Sequence, residues 1–325
     1  MRGPRLRNDS EKSYLHCFNR TAGWSGDQIF GDVDKEHLFR LAENLQKFYS
    51  VEIISFVCMS NHWHALVCTY PDLPDRDEVK RRYRAFYGAD WGEPNWNDPA
   101  VVEKYARRMR DVSCFVKDLQ QRFTCWFNRQ YQRRGRLWAD RYKSVLLEGG
   151  HALWECLKYL EMNPVRAGAC ADPADYRFCS WGRYCGSGKH PFAEAFEKHL
   201  VSYHALEEEQ AGDDAMGFEE VATLLSAELA RVTAYERGEK PEDIEVAEKK
   251  ARQILPFELR VTRRVRYWSD GAIIGSKAFV QRMASDFFGK EYVDKKRLKL
   301  SSPPAGAGDA GGSLVSLRQL QHGLK

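Results

Sequence analysis

The spacing of hydrophobic positions predicts strands and helices in a regular order through the first half of the chain. In some short segments apolar, β-branched and aromatic residues alternate or cluster, as they do in strands. In other segments apolar residues recur every three or four positions, as on the buried face of a helix. The predicted strands are Tyr14–Asn19, Val51–Cys58, His62–Thr69 and Ser144–Leu147, and two of the predicted helices are Asp34–Tyr49, capped by Asp34, and 152–162.

A further, long helix is predicted between the third and fourth strands, and its two faces differ sharply. Its apolar stripe, which we assign to the core, consists of Val112, Phe115, Val116, Leu119, Phe123, Trp126 and Phe127. Its other face carries Arg107, Arg108, Arg110, Lys117, Arg122 and Arg129, and the run 133–136 ends it. Between positions 103 and 143 there are twelve Lys or Arg residues and four Asp or Glu. This basic face is either an ordinary solvated surface or, as the scarcity of acids favours, part of a nucleic-acid groove.

The order strand, helix, strand, strand, helix, strand, helix favours an α+β domain of ferredoxin-like type, in which helices cover an antiparallel sheet. We expect this domain at residues 14–186, after an N-terminal tail at 1–13. The acidic stretch within 187–217 predicts a linker. Helical patterns at Phe218–Arg237, Pro241–Leu259 and Lys277–Phe288 predict a small, mainly helical C-terminal module over 218–300, and a disordered tail is expected over 301–325.

Composition narrows the class of protein. The 325 residues suffice for two domains, and the formal charge of +4 is too small by itself to indicate a polyanionic partner. Nine cysteines without a CxxC pair indicate reduced thiols. The N-terminus lacks the apolar core of a signal peptide, and no apolar run is long enough to span a membrane. We therefore expect a cytoplasmic protein without a membrane partner.

The segment Ser60–Thr69 carries the first candidate chemistry. His62 and His64 are two positions apart in a predicted strand, so both imidazoles project from the same face of the sheet. Two imidazoles can bind a divalent cation, although a catalytic site needs further ligands and open positions. Taken alone, such a pair is more often structural than metal-binding.

A second segment, Tyr159–Pro164, contains what the histidine pair lacks. Asn163 follows Tyr159 by four residues, so on a helix the two side chains project from nearly the same face. If this helix packs beside the histidine strand, the Asn163 amide oxygen completes a metal site with the Tyr159 hydroxyl alongside. Such a site suits phosphoryl transfer with tyrosine as the nucleophile, and its mixture of imidazole and amide oxygen favours Mg²⁺ or Mn²⁺.

Three blocks, in order along the chain, carry a family resemblance. M-S-N-H-W-H at 59–64 resembles the histidine-hydrophobic-histidine motif of the single-tyrosine HUH transposases, and Y-L-E-M-N-P-V-R-A-G-A at 159–169 resembles their tyrosine helix. G-R-L-W-A-D-R-Y-K-S at 135–144 is similar to a third block of that family. The branch most similar is that of the REP-associated tyrosine transposases, and the resemblance spans about residues 14–184.

The resemblance implies an HUH endonuclease fold and a specific reaction. Tyr159 attacks a phosphodiester of single-stranded DNA that carries a hairpin, of the REP palindrome type, which leaves a 5′-phosphotyrosine and a free 3′-hydroxyl that can be resealed. His62, His64 and Asn163 match the metal ligands. The residues that we expect to contact DNA are Arg107, Arg108, Arg122, Arg129, Arg133, Arg134, Arg136, Arg141 and Lys143.

Several alternatives stay open. The chain resembles a transposase that cleaves DNA. Two alternatives are a domesticated protein of the same fold that binds hairpins without cutting them, and a metal phosphohydrolase that uses water. His16 lies either near the metal or in the core, and we favour the core. Glu161 departs from the family, where many members have His, and should face away from Tyr159. A basic strand at Arg263–Trp268, before a helix capped by Ser276, either clamps a hairpin or packs on the catalytic domain. The sequence does not decide between a monomer and a homodimer.

Overall fold

The computed structural model describes residues 6, 10–23, 27–88, 90–201, 217–237, 265–290, 300–301 and 314–318. These residues form a mixed α+β structure around a sheet of seven strands in the order β2-β3-β1-β4-β5-β7-β6. The strands are β1 (Ser13–Arg20), β2 (Glu52–Cys58), β3 (His62–Thr69), β4 (Lys143–Leu147), β5 (Gly271–Gly275), β6 (Leu300–Ser301) and β7 (Val315–Arg318). None of the helices in these ranges is both long and apolar enough to cross a membrane.

The helices begin and end close to the predicted positions where the pattern is strong. In chain order they are α1 (Asp32–Gln46), α2 (Arg76–Tyr87), α3 (Pro99–Arg110), α4 (Val112–Gln130), α5 (His151–Glu161), α6 (Asn163–Arg166), α7 (Ser180–Ser187), α8 (Ala193–Phe196), α9 (Phe218–Glu236), α10 (Val265–Asp270) and α11 (Lys277–Phe288). The N-cap of α1 is Gly31, not Asp34 as the sequence predicts; Asp34 is the third residue of the helix, and its carboxylate accepts a hydrogen bond from the backbone N–H of Gly31.

The centre of the sheet is the antiparallel arrangement that the alternation of strands and helices predicts. β1 lies between β3 and β4 and is antiparallel to both, with Phe18 opposite His64 and His16 opposite Val145. The helices form a layer on each face. The Phe56 side chain contacts Phe39 of α1 on one face. Neighbouring Ser55 points to the other face, where its hydroxyl donates to Glu161 of α5.

The long helix predicted across 107–129 is two helices, which corrects the prediction. Asp111 between them has an extended backbone, and its carboxylate accepts hydrogen bonds from the N–H groups of Ser113 and Cys114 at the start of α4. An Asp that caps a new helix ends the previous one even where the apolar spacing continues. Arg107 and Arg108 therefore belong to α3, whereas Arg122 and Arg129 belong to α4.

The described residues of 218–300 are mostly helical, but they also add the strand β5 to the sheet, which the sequence does not predict. A basic strand was expected at Arg263–Trp268, but residues Val265–Asp270 form α10, and the strand is the following apolar run, Gly271–Gly275. This strand is buried and pairs in parallel with β4, so that Leu146 is opposite Ile273. The sequence does not predict this strand for two reasons. Its pairing partner is distant in the chain, and a short apolar run between glycines shows no alternation of apolar and polar residues.

Two further C-terminal expectations also change. Residues 187–201, predicted as linker, pack on the sheet through buried Phe192, Phe196 and Leu200. Part of the predicted tail forms β7, whose Val315 and Leu317 are buried. The predicted helices at Phe218–Arg237 and Lys277–Phe288 are confirmed, and Ser276 caps the second one. The helix predicted at Pro241–Leu259 lies outside the described residues.

Candidate active site

The candidate active site lies on the α5 face of the sheet, where β3 meets β1. His62 and His64 both project from this face, and their ring centroids are 5.1 Å apart at nearly a right angle. Phe18 of β1, opposite His64, stacks on the His64 imidazole at 5.7 Å. The expected geometry of a histidine pair on a rigid strand is therefore present.

Hydrogen bonds determine which nitrogen of each histidine is available as a ligand. The Nδ1 atom of His62 lies 2.6 Å from Oδ1 of Asn61, which only accepts hydrogen bonds, so this Nδ1 carries the hydrogen. The Nδ1 atom of His64 lies 2.8 Å from Nε2 of His16. In both residues Nε2 is the nitrogen that remains for a metal ion.

Burial keeps these imidazoles neutral near pH 7. It lowers the pKa of His62 to about 4 and the pKa of His16 to about 3. The pKa of His64 is also lowered well below its ordinary value, first by burial and then by the two neighbouring histidines. A neutral imidazole has one lone pair, which is the form that binds a metal ion.

Helix α5 brings Tyr159 to the histidines. The Tyr159 ring is only 1% exposed, and its centroid lies 6.0 Å from that of His64 and 5.8 Å from that of His16. Arg166 places its guanidinium 5.4 Å from the Tyr159 ring centroid. Burial raises the pKa of Tyr159, and the positive charge of Arg166 opposes that rise. The phenol is therefore protonated in this state and needs activation before it can act as a nucleophile.

Asn163 begins α6, one turn after Tyr159. Its Nδ2 atom donates hydrogen bonds to the backbone oxygens of Tyr159 at 3.0 Å and Leu160 at 3.2 Å. These bonds hold the amide in a fixed orientation and commit its nitrogen to the helix. The amide oxygen is the atom of Asn163 that suits a metal ion.

The donor set fits a catalytic divalent cation. Two imidazole nitrogens and one amide oxygen offer three ligands of mixed type, and such a set leaves positions for substrate or water. The hydrogen bonds at Nδ1 of His62 and His64 are the outer partners that metal-binding histidines usually have. His62, His64 and Asn163 therefore offer the types of donor atom that a divalent cation takes.

Two neighbours of the site had little or no signal in the sequence. His16, expected in the core, is buried but also contacts His64 directly. His16 is two residues from Phe18 on β1, so both side chains lie on the same face of the sheet. That His16 is close to His64 follows only from the register in which β1 pairs with β3. Trp268 of α10 is fully buried, and its ring lies 5.8 Å from the Tyr159 ring at an angle of 26°. Nothing in the sequence connects Trp268 with Tyr159.

Glu161 turns away from the site, in agreement with the expectation. Its carboxylate accepts hydrogen bonds from the Ser55 hydroxyl at 2.7 Å and from the Trp181 backbone N–H at 3.2 Å. Burial raises the pKa of this carboxyl to about 7. Glu161 thus ties α5 to β2 and α7.

The predicted DNA-contacting residues separate into two groups. Lys143, whose amine lies 5.9 Å from the Phe18 ring centroid, and the backbone of segment 133–141 lie at the site end of the sheet, whereas the Arg133 guanidinium lies 5.5 Å from the ring of Phe127 in α4. This segment runs along the end of β1, where Ala139 N–H donates to Arg20 O and Arg20 is opposite His62. It carries Arg133, Arg134, Arg136 and Arg141.

The second group lies on the layer that contains α1. Helices α3 and α4 pack together in this layer, on the face opposite α5, and carry Arg107, Arg108, Arg122 and Arg129. Arg107 pairs with Glu103, and Arg108 donates to Asp118 at 2.8 Å. The structure therefore does not bring these four arginines to Tyr159.

A second group of metal-type donors lies at the other end of β3. Glu52, Cys68 and His199 have donor atoms within 4.8 Å of one another. The Glu52 carboxylate is bonded to His199 at 2.6 Å, to the Lys198 amine at 2.7 Å and to the Tyr70 hydroxyl at 2.8 Å. This network ties residues 197–201 to the sheet and is separate from the histidine pair.

Comparisons with known proteins do not assign a family to this chain. None of the known family models matches the chain, and no curated protein matches it. Among solved structures the chain is similar to a REP-associated tyrosine transposase bound to a REP hairpin, with 15% identity and a TM-score of 0.40. The similarity covers 58% of this chain and 87% of that one. A likeness of this degree does not assign a function, so the function has to be inferred from the residues of the site.

Proposed function

We propose that the protein is a metal-dependent endonuclease and strand transferase for single-stranded DNA, with Tyr159 as the covalent nucleophile. The observation that carries the proposal is the meeting of two distant segments on one face of the sheet. His62 and His64 come from β3, Tyr159 and Asn163 come from α5 and α6, and the His64 and Tyr159 rings are 6.0 Å apart. The three ordered sequence blocks that resemble single-tyrosine HUH transposases support it.

The reaction follows from the chemistry of a phenol nucleophile. The Tyr159 oxygen forms a bond to phosphorus after losing its proton, and the bond between phosphorus and the 3′ oxygen breaks. The released 3′ oxygen takes up a proton and becomes a hydroxyl, while the 5′ phosphate stays on Tyr159. Attack by a 3′ hydroxyl reverses these changes, so no nucleotide cofactor is consumed. A bound divalent cation would supply charge neutralisation at the phosphodiester.

The surrounding residues have distinct roles in this proposal. Arg166, over the Tyr159 ring, favours the phenolate because its positive charge opposes the rise in the pKa of the phenol. Lys143, beside Phe18, and the arginines of 133–141 bind the phosphates of the strand next to the site. A single strand carrying a REP-like hairpin is the substrate that the sequence resemblance favours.

A hairpin-binding protein that does not cleave is the second candidate. The observation that favours it is the burial of Tyr159, whose ring is 1% exposed and covered by Trp268. A nucleophile has to reach a phosphodiester, so in this candidate the phenol would be a core residue. Under this proposal DNA would still bind, but no divalent metal ion would support cleavage.

The deciding experiment incubates the full chain with Mn²⁺ and an end-labelled single strand carrying a hairpin. The proposed enzyme gives an adduct that survives denaturation, and Tyr159→Phe gives none. Tyr184→Phe is the control because it removes a tyrosine hydroxyl that bonds to Glu219 and takes no part in the histidine site. Binding without an adduct for the wild-type protein indicates the second candidate. Cleavage by Tyr159→Phe without an adduct indicates a phosphohydrolase that uses water.

A further inference from the structure

A chain of three polar groups connects the C-terminal segment to the histidine pair. Nδ1 of His16 lies 3.1 Å from the backbone oxygen of Trp268, and Nε2 of His16 lies 2.8 Å from Nδ1 of His64. All three residues are buried. Each contact therefore forms inside the protein, where an unsatisfied polar group is costly.

The backbone carbonyl of Trp268 determines which atom donates in both hydrogen bonds. A backbone carbonyl only accepts, so Nδ1 of His16 carries the hydrogen. Nε2 of a neutral His16 then has the lone pair and accepts from Nδ1 of His64. As a result His64 is protonated at Nδ1, and its Nε2 is free of hydrogen.

We propose that His16 and the Trp268 carbonyl are positioning groups that select the tautomer of His64 needed to bind metal. This inference rests on the proposed function, because it assigns His64 as a ligand. It adds a residue of β1 and a backbone group of the C-terminal segment to the site. The catalytic domain without its C-terminal segment would contain both histidines, but the tautomer of His64 would not be selected.

The position of Trp268 is set by strand pairing. Helix α10 leads directly into β5, which pairs with β4, and β4 in turn pairs with β1, where His16 lies opposite Val145. The far end of β5 is held as well, because the Ser276 hydroxyl donates to the Glu148 carboxylate at 3.0 Å. These contacts bring the Trp268 carbonyl to His16 although the two residues are far apart in the chain.

The two histidine ligands differ in how their tautomers are selected. His62 uses its sequence neighbour, Asn61, so its tautomer depends only on the β2–β3 turn. His64 depends on His16 and, through it, on the C-terminal segment. Removal of His16 is therefore expected to affect His64 and to leave His62 unchanged.

The tautomer of His64, determined from ¹⁵N chemical shifts, tests the proposal on the metal-free protein. We would record long-range ¹H–¹⁵N spectra of the full chain labelled at histidine and assign the His64 signals from the spectrum of His64→Gln. The wild-type protein should show His64 protonated at Nδ1. His16→Phe, which keeps a ring but has no acceptor, should shift His64 towards protonation at Nε2 and lower the affinity for Mn²⁺, measured by calorimetry, about 10- to 100-fold.

Two matched variants separate hydrogen bonding from packing. His16→Gln has an amide oxygen to accept from His64 and an amide N–H to donate to Trp268, and it should keep the wild-type tautomer. Trp268→Phe keeps the backbone carbonyl and should keep it too. The proposal is overturned if His64 of the wild-type protein is protonated at Nε2, a result that needs no variant to fold. It is also overturned if His16→Phe leaves the tautomer and the Mn²⁺ affinity unchanged.

The tautomer result is independent of the test of function. The spectra contain neither DNA nor metal, so they can support the role of His16 even if Tyr159 forms no adduct. Conversely, an adduct on Tyr159 with an unchanged tautomer in His16→Phe would overturn only the role of His16.

Discussion

The phenol ring of Tyr159 and the imidazole ring of His64 are 6.0 Å apart between centroids and meet at 87°, although they come from distant parts of the chain. The contact forms because α5 packs on the face of β3 from which the even-numbered residues 62–68 project. It joins the candidate nucleophile to a candidate metal ligand in a buried environment. The predictions below concern this pair, the residues that cover it and the contacts that hold α5 in place.

Removal of the Trp268 indole should expose the nucleophile. The indole stacks on Tyr159 and is fully buried, so Trp268→Ala opens a space beside the phenol while keeping the backbone carbonyl. We expect faster chemical modification of Tyr159, measured by mass spectrometry after brief treatment with a tyrosine-selective reagent. Phe287→Ala, in the same C-terminal part, is the control. If Tyr159 is modified equally fast in wild type and Trp268→Ala, the indole does not shield it.

Two groups of basic residues should differ in their effect on DNA binding. Arg136→Ala, Arg141→Ala and Lys143→Ala remove charge at the site end of the sheet, and each should weaken binding of a single-stranded hairpin and reduce its salt dependence. For a single strand, each phosphate contact that is removed should reduce the magnitude of the slope of log affinity against log salt concentration by about 0.7. The measurement is a titration by fluorescence anisotropy at several salt concentrations.

The control for this comparison is Arg122→Ala combined with Arg129→Ala. Both arginines are exposed on α4, in the layer opposite α5. We expect little change in affinity or slope. An equal loss in both groups would mean that DNA binds on the α4 face and would contradict the proposed route.

Lys158 should be essential for the stability of the contact between α5 and α9. It is 1% exposed, forms an ion pair with Glu155 and lies 2.6 Å from the carboxylate of Glu228 in α9. Lys158→Met leaves two buried carboxylates without their cation, which should lower the free energy of unfolding by about 3–5 kcal/mol. Lys117→Met, at an exposed position of α4, should change it by less than about 0.5 kcal/mol. Chemical denaturation measures both, and a similar small loss in the two variants would contradict the prediction.

The Glu52 network should stabilise the protein in a pH-dependent manner. Burial raises the pKa of Glu52, but hydrogen bonds from His199, Lys198 and Tyr70 outweigh burial and lower the pKa to about 2. A depressed carboxyl pKa stabilises the folded state above the ordinary value near 4.5, and this stabilisation is lost as the pH falls towards 2.

Glu52→Gln tests this pH dependence. At pH 7 it should lower the free energy of unfolding by about 1.5–3 kcal/mol, the range for hydrogen bonds to a charged group. The difference from wild type should shrink between pH 5 and pH 3, as measured by urea denaturation at each pH. A difference that stays constant over this window would mean that the charge of Glu52 contributes little.

The parts of the fold that the sequence predicted are those with local signals. Alternation over His62–Thr69 predicts β3 and places both histidines on one face, and a spacing of four residues predicts the shared face of Tyr159 and Asn163. These signals need no knowledge of the rest of the chain. Asp111 also had a local signal as a helix cap, but the continuous apolar stripe concealed it.

The parts that could not be predicted depend on pairing between distant segments. His16 becomes a neighbour of His64 only through the register of β1 with β3, and Trp268 reaches Tyr159 only because β5 pairs in parallel with β4. No pattern in Gly271–Gly275 specifies that partner. The location of the α4 arginines on the far layer likewise follows from tertiary packing, because an amphipathic helix shows which face is buried but not against which face of the sheet.

The most direct test of the central proposal identifies the residue to which DNA becomes covalently attached. The full chain would be incubated with Mn²⁺ and a hairpin-bearing single strand, the product digested with protease and nuclease, and the modified peptide sequenced by mass spectrometry. The proposal predicts a nucleotide attached through its 5′ phosphate to Tyr159, and no such peptide when His62→Ala and His64→Ala are combined. A phosphodiester link at another residue, or cleaved DNA with no modified peptide, would contradict it.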